Sequence, residues 1–125
     1  MVSKKIFNKN LNSNLLKVFL AYSNGYFPMG RNKNNKEIQW VKPYSRGIIP
    51  IGKLYCSKSL KKLIRKNDYD ISFNKNFKDV IFNCANRKTT WINSTIFELF
   101  LDLHDQGFAH SVEVKKKESL VGGLY

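Results

Sequence analysis

His110-Ser111-Val112-Glu113-Val114-Lys115-Lys116-Lys117-Glu118-Ser119-Leu120-Val121-Gly122-Gly123-Leu124-Tyr125 is the stretch on which the fold turns. His110–Lys115 reads as one strand, with His110 on one face and Ser111 and Glu113 on the other, as the period-2 rule requires. Ser119–Tyr125 reads as a second strand, and a tight Lys116-Lys117 turn between them predicts an antiparallel hairpin. Working back, Asn93 or Ser94 caps a helix to Gln106 that Gly107 stops. Asn76–Ala85 predicts another, burying Phe77, Val80, Ile81 and Cys84. Ile71–Phe73 can form a strand. A helix from Ser57 or Ser59 to Lys66 would turn Leu60, Leu63 and Ile64 inward. Helix, strand, helix, helix, hairpin is an α+β order.

The N-terminal part is shorter and more polar. Met1–Asn10 reads as a loose basic arm. Ser13 or Asn14 can cap a helix through Tyr22, in which Leu15, Val18, Phe19 and Tyr22 share a face. Gly25 suits the left-handed position that ends a helix. After Tyr26-Phe27-Pro28-Met29 comes a polar loop, Gly30–Lys36. Ile38–Trp40 and Gly47–Ile51 predict short extended segments around a Lys42-Pro43 turn. This unit, residues 1–50, is too small for a robust core of its own and is expected to lean on residues 51–125. The apolar end predicts a continuation past Tyr125, because a domain finishing on a half-strand would present an unpaired edge.

Composition narrows the classes. The 125 residues are 42% hydrophobic, with nine Phe, six Tyr and two Trp, which a disordered polycation would lack. The net charge of +13, from 22 Lys and Arg against 9 Asp and Glu, favours polyanion partners. Lysine and asparagine also accumulate from AT-rich coding alone, so the arrangement of charge has to decide. Cys56 and Cys84 have no metal-site spacing and are too few for a disulfide framework, so reduced thiols are expected. The longest apolar run, Leu15–Ala21, is interrupted by Lys17 and is far short of a membrane span. A cytoplasmic protein is expected.

Three constellations could carry chemistry. Lys58, Lys61, Lys62, Arg65 and Lys66 surround the face opposite Leu60, Leu63 and Ile64. Such a ridge either contacts phosphates or is a solvated face in a lysine-biased sequence. Tyr22, Tyr26, Phe27, Trp40, Tyr44 and Trp91 are either core or stacking platforms for a base. Trp91, between the polar run 86–90 and a helix start, is the strongest platform candidate. His110, Ser111 and Glu113 include acid–base and nucleophile types, but no nucleophile turn surrounds Ser111. A structural, hydrogen-bonded His110 is the simpler reading, and His104 suits a helix C-terminus. No phosphate loop, zinc pattern or carboxylate pair occurs, so no metal or cofactor is expected.

Taken in order, several segments resemble one family, the leucyl/phenylalanyl-tRNA–protein transferases. Ala21-Tyr22-Ser23-Asn24-Gly25-Tyr26-Phe27-Pro28 resembles its Ala-Tyr-x-x-Gly-x-Phe-Pro motif. Trp40 with Pro43 and Arg46 resembles Trp-Trp-Ser-Pro-x-x-Arg, and Ser57-Lys58-Ser59-Leu60-Lys61-Lys62 resembles Ser-Arg-Ser-Leu-Arg-Arg. Thr90-Trp91-Ile92, Leu103-His104, Ala109–Val114 and Leu120–Tyr125 follow in the same sequence. The likeness runs over roughly residues 12–125.

That resemblance implies a small N-terminal domain followed by the first part of a GNAT-type acyltransferase domain. It implies transfer of Leu or Phe from aminoacyl-tRNA to proteins with N-terminal Lys or Arg, marking them for degradation, by a monomer. Trp91, Tyr22, Phe27, Met29 and Trp40 would form the aminoacyl-adenosine pocket. Lys58, Lys62, Arg65 and Lys66 would hold the tRNA acceptor stem, and the His110, Ser111 and Glu113 strand would support the pocket. The family's catalytic polar groups, in a Gly-Glu-Ser-Met-Phe-Ser segment and a later Asp-x-Gln motif, would lie beyond Tyr125. No catalytic residue is therefore expected within this chain, which alone should be inactive. Val41 stands for the second Trp of Trp-Trp, Met29 for a stacking Trp, Lys115 for a Trp and Phe100 for a frequent Tyr. A basic RNA-binding module without chemistry and an acyltransferase with a small-molecule donor are the competing readings.

Overall fold

A computed structural model of the protein describes residues 13–125. The expected basic arm lies outside the described residues. Helix α1 spans Ser13–Ser23, so Ser13 and Asn14 are already helical rather than the expected caps. Its end follows the sequence closely. Gly25 takes φ +83°, Tyr26 N donates to Ala21 O and Gly25 N to Tyr22 O, both at 2.9 Å. This pair of bonds is a Schellman cap, which needs a left-handed residue at Gly25.

Strand β1, Phe27–Gly30, pairs antiparallel with β2, Ile38–Val41, with Pro28 opposite Trp40 and Gly30 opposite Ile38. Of these two, only β2 is expected from the sequence, and a proline such as Pro28 is unusual inside a strand. The geometry removes that objection. Gly30 N–H points away from β2, to Trp91 O at 2.8 Å. Pro28, two residues earlier, has its nitrogen on the same side, where the β1–β2 ladder needs no donor. The expected extended segment Gly47–Ile51 is not a strand. Ile48, Ile49 and Ile51 are exposed, and a turn bond from Lys53 N to Pro50 O closes the segment.

Helix α2 (Lys58–Arg65) starts where Ser57 Oγ accepts from Leu60 N. Its supposed inner face is a correction: Leu60, Leu63 and Ile64 remain 40–63% exposed. They look across an open groove toward Ile71, Val114 and Val121. Amphipathic spacing specifies a face but not a partner, and among the described residues none covers this one.

Strands β3 (Asp70–Phe73), β4 (Val112–Lys116) and β5 (Ser119–Leu124) form an antiparallel sheet in the order β3-β4-β5. The hairpin turn is Lys117-Glu118, not Lys116-Lys117, since Lys116 pairs with Ser119. Both turn residues have positive φ, 48° and 65°, as a two-residue type I′ turn demands. The register shifts between Val114 and Lys115. His110 and Ser111 precede β4 rather than belonging to it.

Helices α3 (Phe77–Ala85) and α4 (Ser94–Asp105) pack together around Phe77, Ile81, Ile92 and Ile96. Leu15 and Val18 of α1 bury against Leu103 of α4, so the N-terminal elements do lean on residues 51–125. His104 packs flat on Phe77, with centroids 4.1 Å apart, and its Nδ1 donates to Ala109 O at 2.8 Å. His104 does lie in the last turn of α4, as expected, and packs there as well. Among the described residues no helix is long and apolar enough to cross a membrane.

Candidate functional site

The polar link Asn86–Thr90 between α3 and α4 brings Trp91 to the N-terminus of α4. Thr90 Oγ1 accepts from Ile92 N at 3.1 Å, and Asn93 Oδ1 caps the helix by accepting from Ile96 N at 2.9 Å. The strand end of β1 abuts this segment so closely that a Cβ on Gly30 would sit 2.6 Å from Trp91 O. Glycine is needed at residue 30 for that approach. The Trp91 backbone is thus held from both sides.

The side chain of Trp91 is 40% exposed and stands on the border of two cavities. The first, of about 350 Å³, is walled by Tyr22, Phe27, Phe100 and Tyr125, with Arg87 and Thr90 at its polar side. The second, of about 470 Å³, is lined by Met29, Arg31, Asn32, Lys33 and Lys88. An apolar group fits the one and an anion the other, on either side of one aromatic ring.

Of the five residues expected to line a pocket, Trp91, Tyr22 and Phe27 meet at the first cavity and Met29 joins Trp91 at the second. Trp40 reaches neither; it lies on β2, 40% exposed. Tyr44 is fully exposed on its loop. Arg46 donates to Gly25 O at 3.3 Å and lies over the Phe27 ring at 5.5 Å, so the Trp-Pro-Arg segment braces the site from behind. Burial raises the Tyr22 hydroxyl above its ordinary pKa, partly offset by the charge of Arg46. Burial also pushes the Tyr125 hydroxyl up, and Tyr125 Oη has no hydrogen-bond partner among the described residues.

The cations Lys58, Lys61, Lys62, Arg65 and Lys66 are exposed on and just after α2, which lines neither cavity. His110, Ser111 and Glu113 form a separate polar cluster. Ser111 and Glu113 are buried and His110 is exposed, its Nδ1 beside Asn74 Nδ2 at 3.1 Å. Ser111 Oγ, Ser72 Oγ and Lys75 N all donate to the Glu113 carboxylate. With every partner structural, Ser111 is a buried anchor and not a nucleophile open to substrate. Cys56 and Cys84 are both free thiols.

From the sequence, Arg31, Lys33 and Lys88 have no role, and Arg87 has only a place in the family likeness. The structure gathers them around Trp91 from two segments more than fifty residues apart. No local pattern marks such a cluster.

The family model for leucyl/phenylalanyl-tRNA protein transferase matches residues 48–125. A leucyl/phenylalanyl-tRNA–protein transferase of Ruegeria sp. (strain TM1040) is 48% identical over 105 residues, covering 84% of this chain and 50% of the relative. One from Cereibacter sphaeroides (strain KD131 / KCTC 12085) is 45% identical over 105 residues, covering 84% and 49%. The chain spans about half the length of these curated relatives. The match takes in α2, the Trp91 segment and the whole β3–β5 sheet, and the chain belongs to the leucyl/phenylalanyl-tRNA–protein transferase family.

Proposed function

We propose that the protein takes part in moving Leu or Phe from aminoacyl-tRNA to the N-terminal Lys or Arg of acceptor proteins, marking them for degradation. The observation that carries this reading is the placement of Trp91 between an apolar cavity and a cationic one, in a chain of this family. The terminal aminoacyl-adenosine of the tRNA is apolar at its amino-acid side chain, aromatic at its base and anionic at its phosphates. Those three properties match the first cavity, Trp91 and the second cavity in turn. The α2 cations Lys58, Lys62, Arg65 and Lys66 then hold the acceptor stem by phosphate contacts.

The reaction needs no nucleotide triphosphate, because the ester is already activated. The acceptor α-amine attacks the ester carbonyl, a C–N bond forms, the C–O bond to the ribose breaks, and the amine proton ends on the departing hydroxyl. Holding both reactants in place and stabilising the oxyanion supply the acceleration. We assign the docking of aminoacyl-tRNA to this chain. The catalytic polar groups belong to the Gly-Glu-Ser-Met-Phe-Ser and Asp-x-Gln segments, which this sequence does not contain. In this reading residues 1–50 are the small N-terminal domain and 51–125 the first part of a GNAT-type domain, in a cytoplasmic monomer that uses no cofactor.

The test is binding and transfer measured side by side on the 125-residue chain. Leu-tRNA and Phe-tRNA are expected to bind more tightly than the deacylated tRNAs, with no labelled amino acid reaching an Arg-starting peptide. Equal binding of deacylated tRNA would leave a basic RNA-binding module. Transfer would show that the catalytic groups reside in this chain after all.

A further inference from the structure

Asn93 does more than cap a helix. Its carboxamide is 1% exposed, and its oxygen and both amide hydrogens bond across two segments. Oδ1 accepts from Ile96 N, while Nδ2 donates to Asn35 O at 2.6 Å and Glu37 O at 3.0 Å. Capping alone would be served as well by Asp or Ser. Only an amide can also donate twice to main-chain carbonyls from the same side chain.

Two further ties run in parallel. Thr95 Oγ1 donates to Lys36 O at 2.7 Å, and Gly30 N donates to Trp91 O at 2.8 Å. A Cβ on Gly30 would lie 2.6 Å from Trp91 O and 2.7 Å from Asn93 Nδ2. The segment tied down by these bonds is the Gly30–Glu37 loop, whose Arg31 and Lys33 line the cationic cavity. The Trp91 wall and the cationic wall are therefore fastened to each other through the buried Asn93 side chain and these two parallel bonds.

We propose that Asn93, with Gly30 as its close-packed counterpart, is the positioning residue that fixes Trp91 against the cationic 31–34 loop and so sets the geometry between the two cavities. This rests on the reading of Trp91 as a ligand wall, but its test does not.

The chain has two tryptophans, so Trp40→Phe leaves Trp91 as the sole indole reporter. In that background Asn93→Asp keeps a helix-capping acceptor and removes both donors to the loop. The expected result is a folded protein whose Trp91 emission shifts to the red and is more readily quenched by acrylamide. A merely structural Asn93 would lower the melting temperature and leave native-state emission and quenching where they were, which would overturn the proposal. Gly30→Ala carries the same readout if Asn93→Asp does not fold, and an unshifted emission in that folded variant is equally fatal. A parallel titration with a non-hydrolysable 3′-phenylalanylamido-adenosine separates the two ideas. If Trp91→Ala binds it as well as the parent does, the ligand wall fails while the positioning result stands.

Discussion

Ser111 Oγ donates to the carboxylate of Glu113, and both side chains are buried to within 1%. The same carboxylate accepts from Ser72 Oγ at 2.5 Å and from Lys75 N at 3.3 Å, so it joins β3, β4 and the start of α3. Burial works to raise the Glu113 pKa, but the hydrogen bonds from Ser111, Ser72 and the Asn76 and Lys75 backbone outweigh it, and the pKa is lowered. A carboxylate lowered in the folded state stabilises the fold at pH values above its unfolded pKa of ~4.3. That contribution is lost as pH falls from there through the folded value. Thermal melts against pH should therefore drop more steeply in acid for the parent than for Glu113→Gln. At neutral pH the substitution should cost about 1–3 kcal/mol, since an amide leaves a buried N–H group among donors. Parallel melting curves for the two proteins would contradict the role given to Glu113.

Trp91 offers one half-open aromatic face between the two cavities. Removing it in Trp91→Ala should weaken binding of an aminoacyl-adenosine by about 1–3 kcal/mol, the usual worth of a base–aromatic stack. Trp91→Phe should recover part of that loss. Calorimetric titration of the parent and both variants measures the order, and an Ala variant that binds like the parent removes Trp91 from the site.

The basic face of α2 makes a separate, salt-dependent prediction. Lys62 and Arg65 lie in the last turn of the helix and line neither cavity beside Trp91. Reversing both charges should weaken tRNA binding and flatten its dependence on log salt by about one unit for each phosphate no longer neutralised. Affinity measured at several salt concentrations decides it. An unchanged slope would return these cations to a compositional bias of the sequence.

What the sequence disclosed, and what it did not, divides by range. Ser57 and Asn93 as caps, Gly25 and Gly107 as stops and the Phe77, Val80 and Ile81 face of α3 are local patterns, and the structure has them, with Cys84 only partly buried. β1 is hard to read alone because Pro28 lacks a ladder donor, and only its pairing with β2 shows that the proline nitrogen faces the edge away from β2. The inward face given to α2 failed for the opposite reason: spacing names a face without naming its partner. The second task of Asn93 was invisible since its acceptors lie 56 and 58 residues away. Trp91 could be singled out from its position between a polar run and a helix start. Its two flanking cavities draw on residues from both ends of the chain.

The hairpin turn carries a prediction of its own. Lys117 and Glu118 adopt φ of 48° and 65°, a left-handed conformation that costs residues with a Cβ roughly 1 kcal/mol each. They do so because Lys116 pairs with Ser119, leaving two residues to reverse the chain with the twist that a type I′ turn supplies. Replacing Lys117-Glu118 with Asn-Gly supplies the pair best suited to those angles and touches neither cavity. The double variant should be more stable by about 1 kcal/mol, seen as a higher denaturant midpoint with an unchanged slope. If the turn were instead at Lys116-Lys117, the glycine would enter the wrong backbone position and the midpoint would fall. The sign of the shift therefore reports the register of β4 against β5.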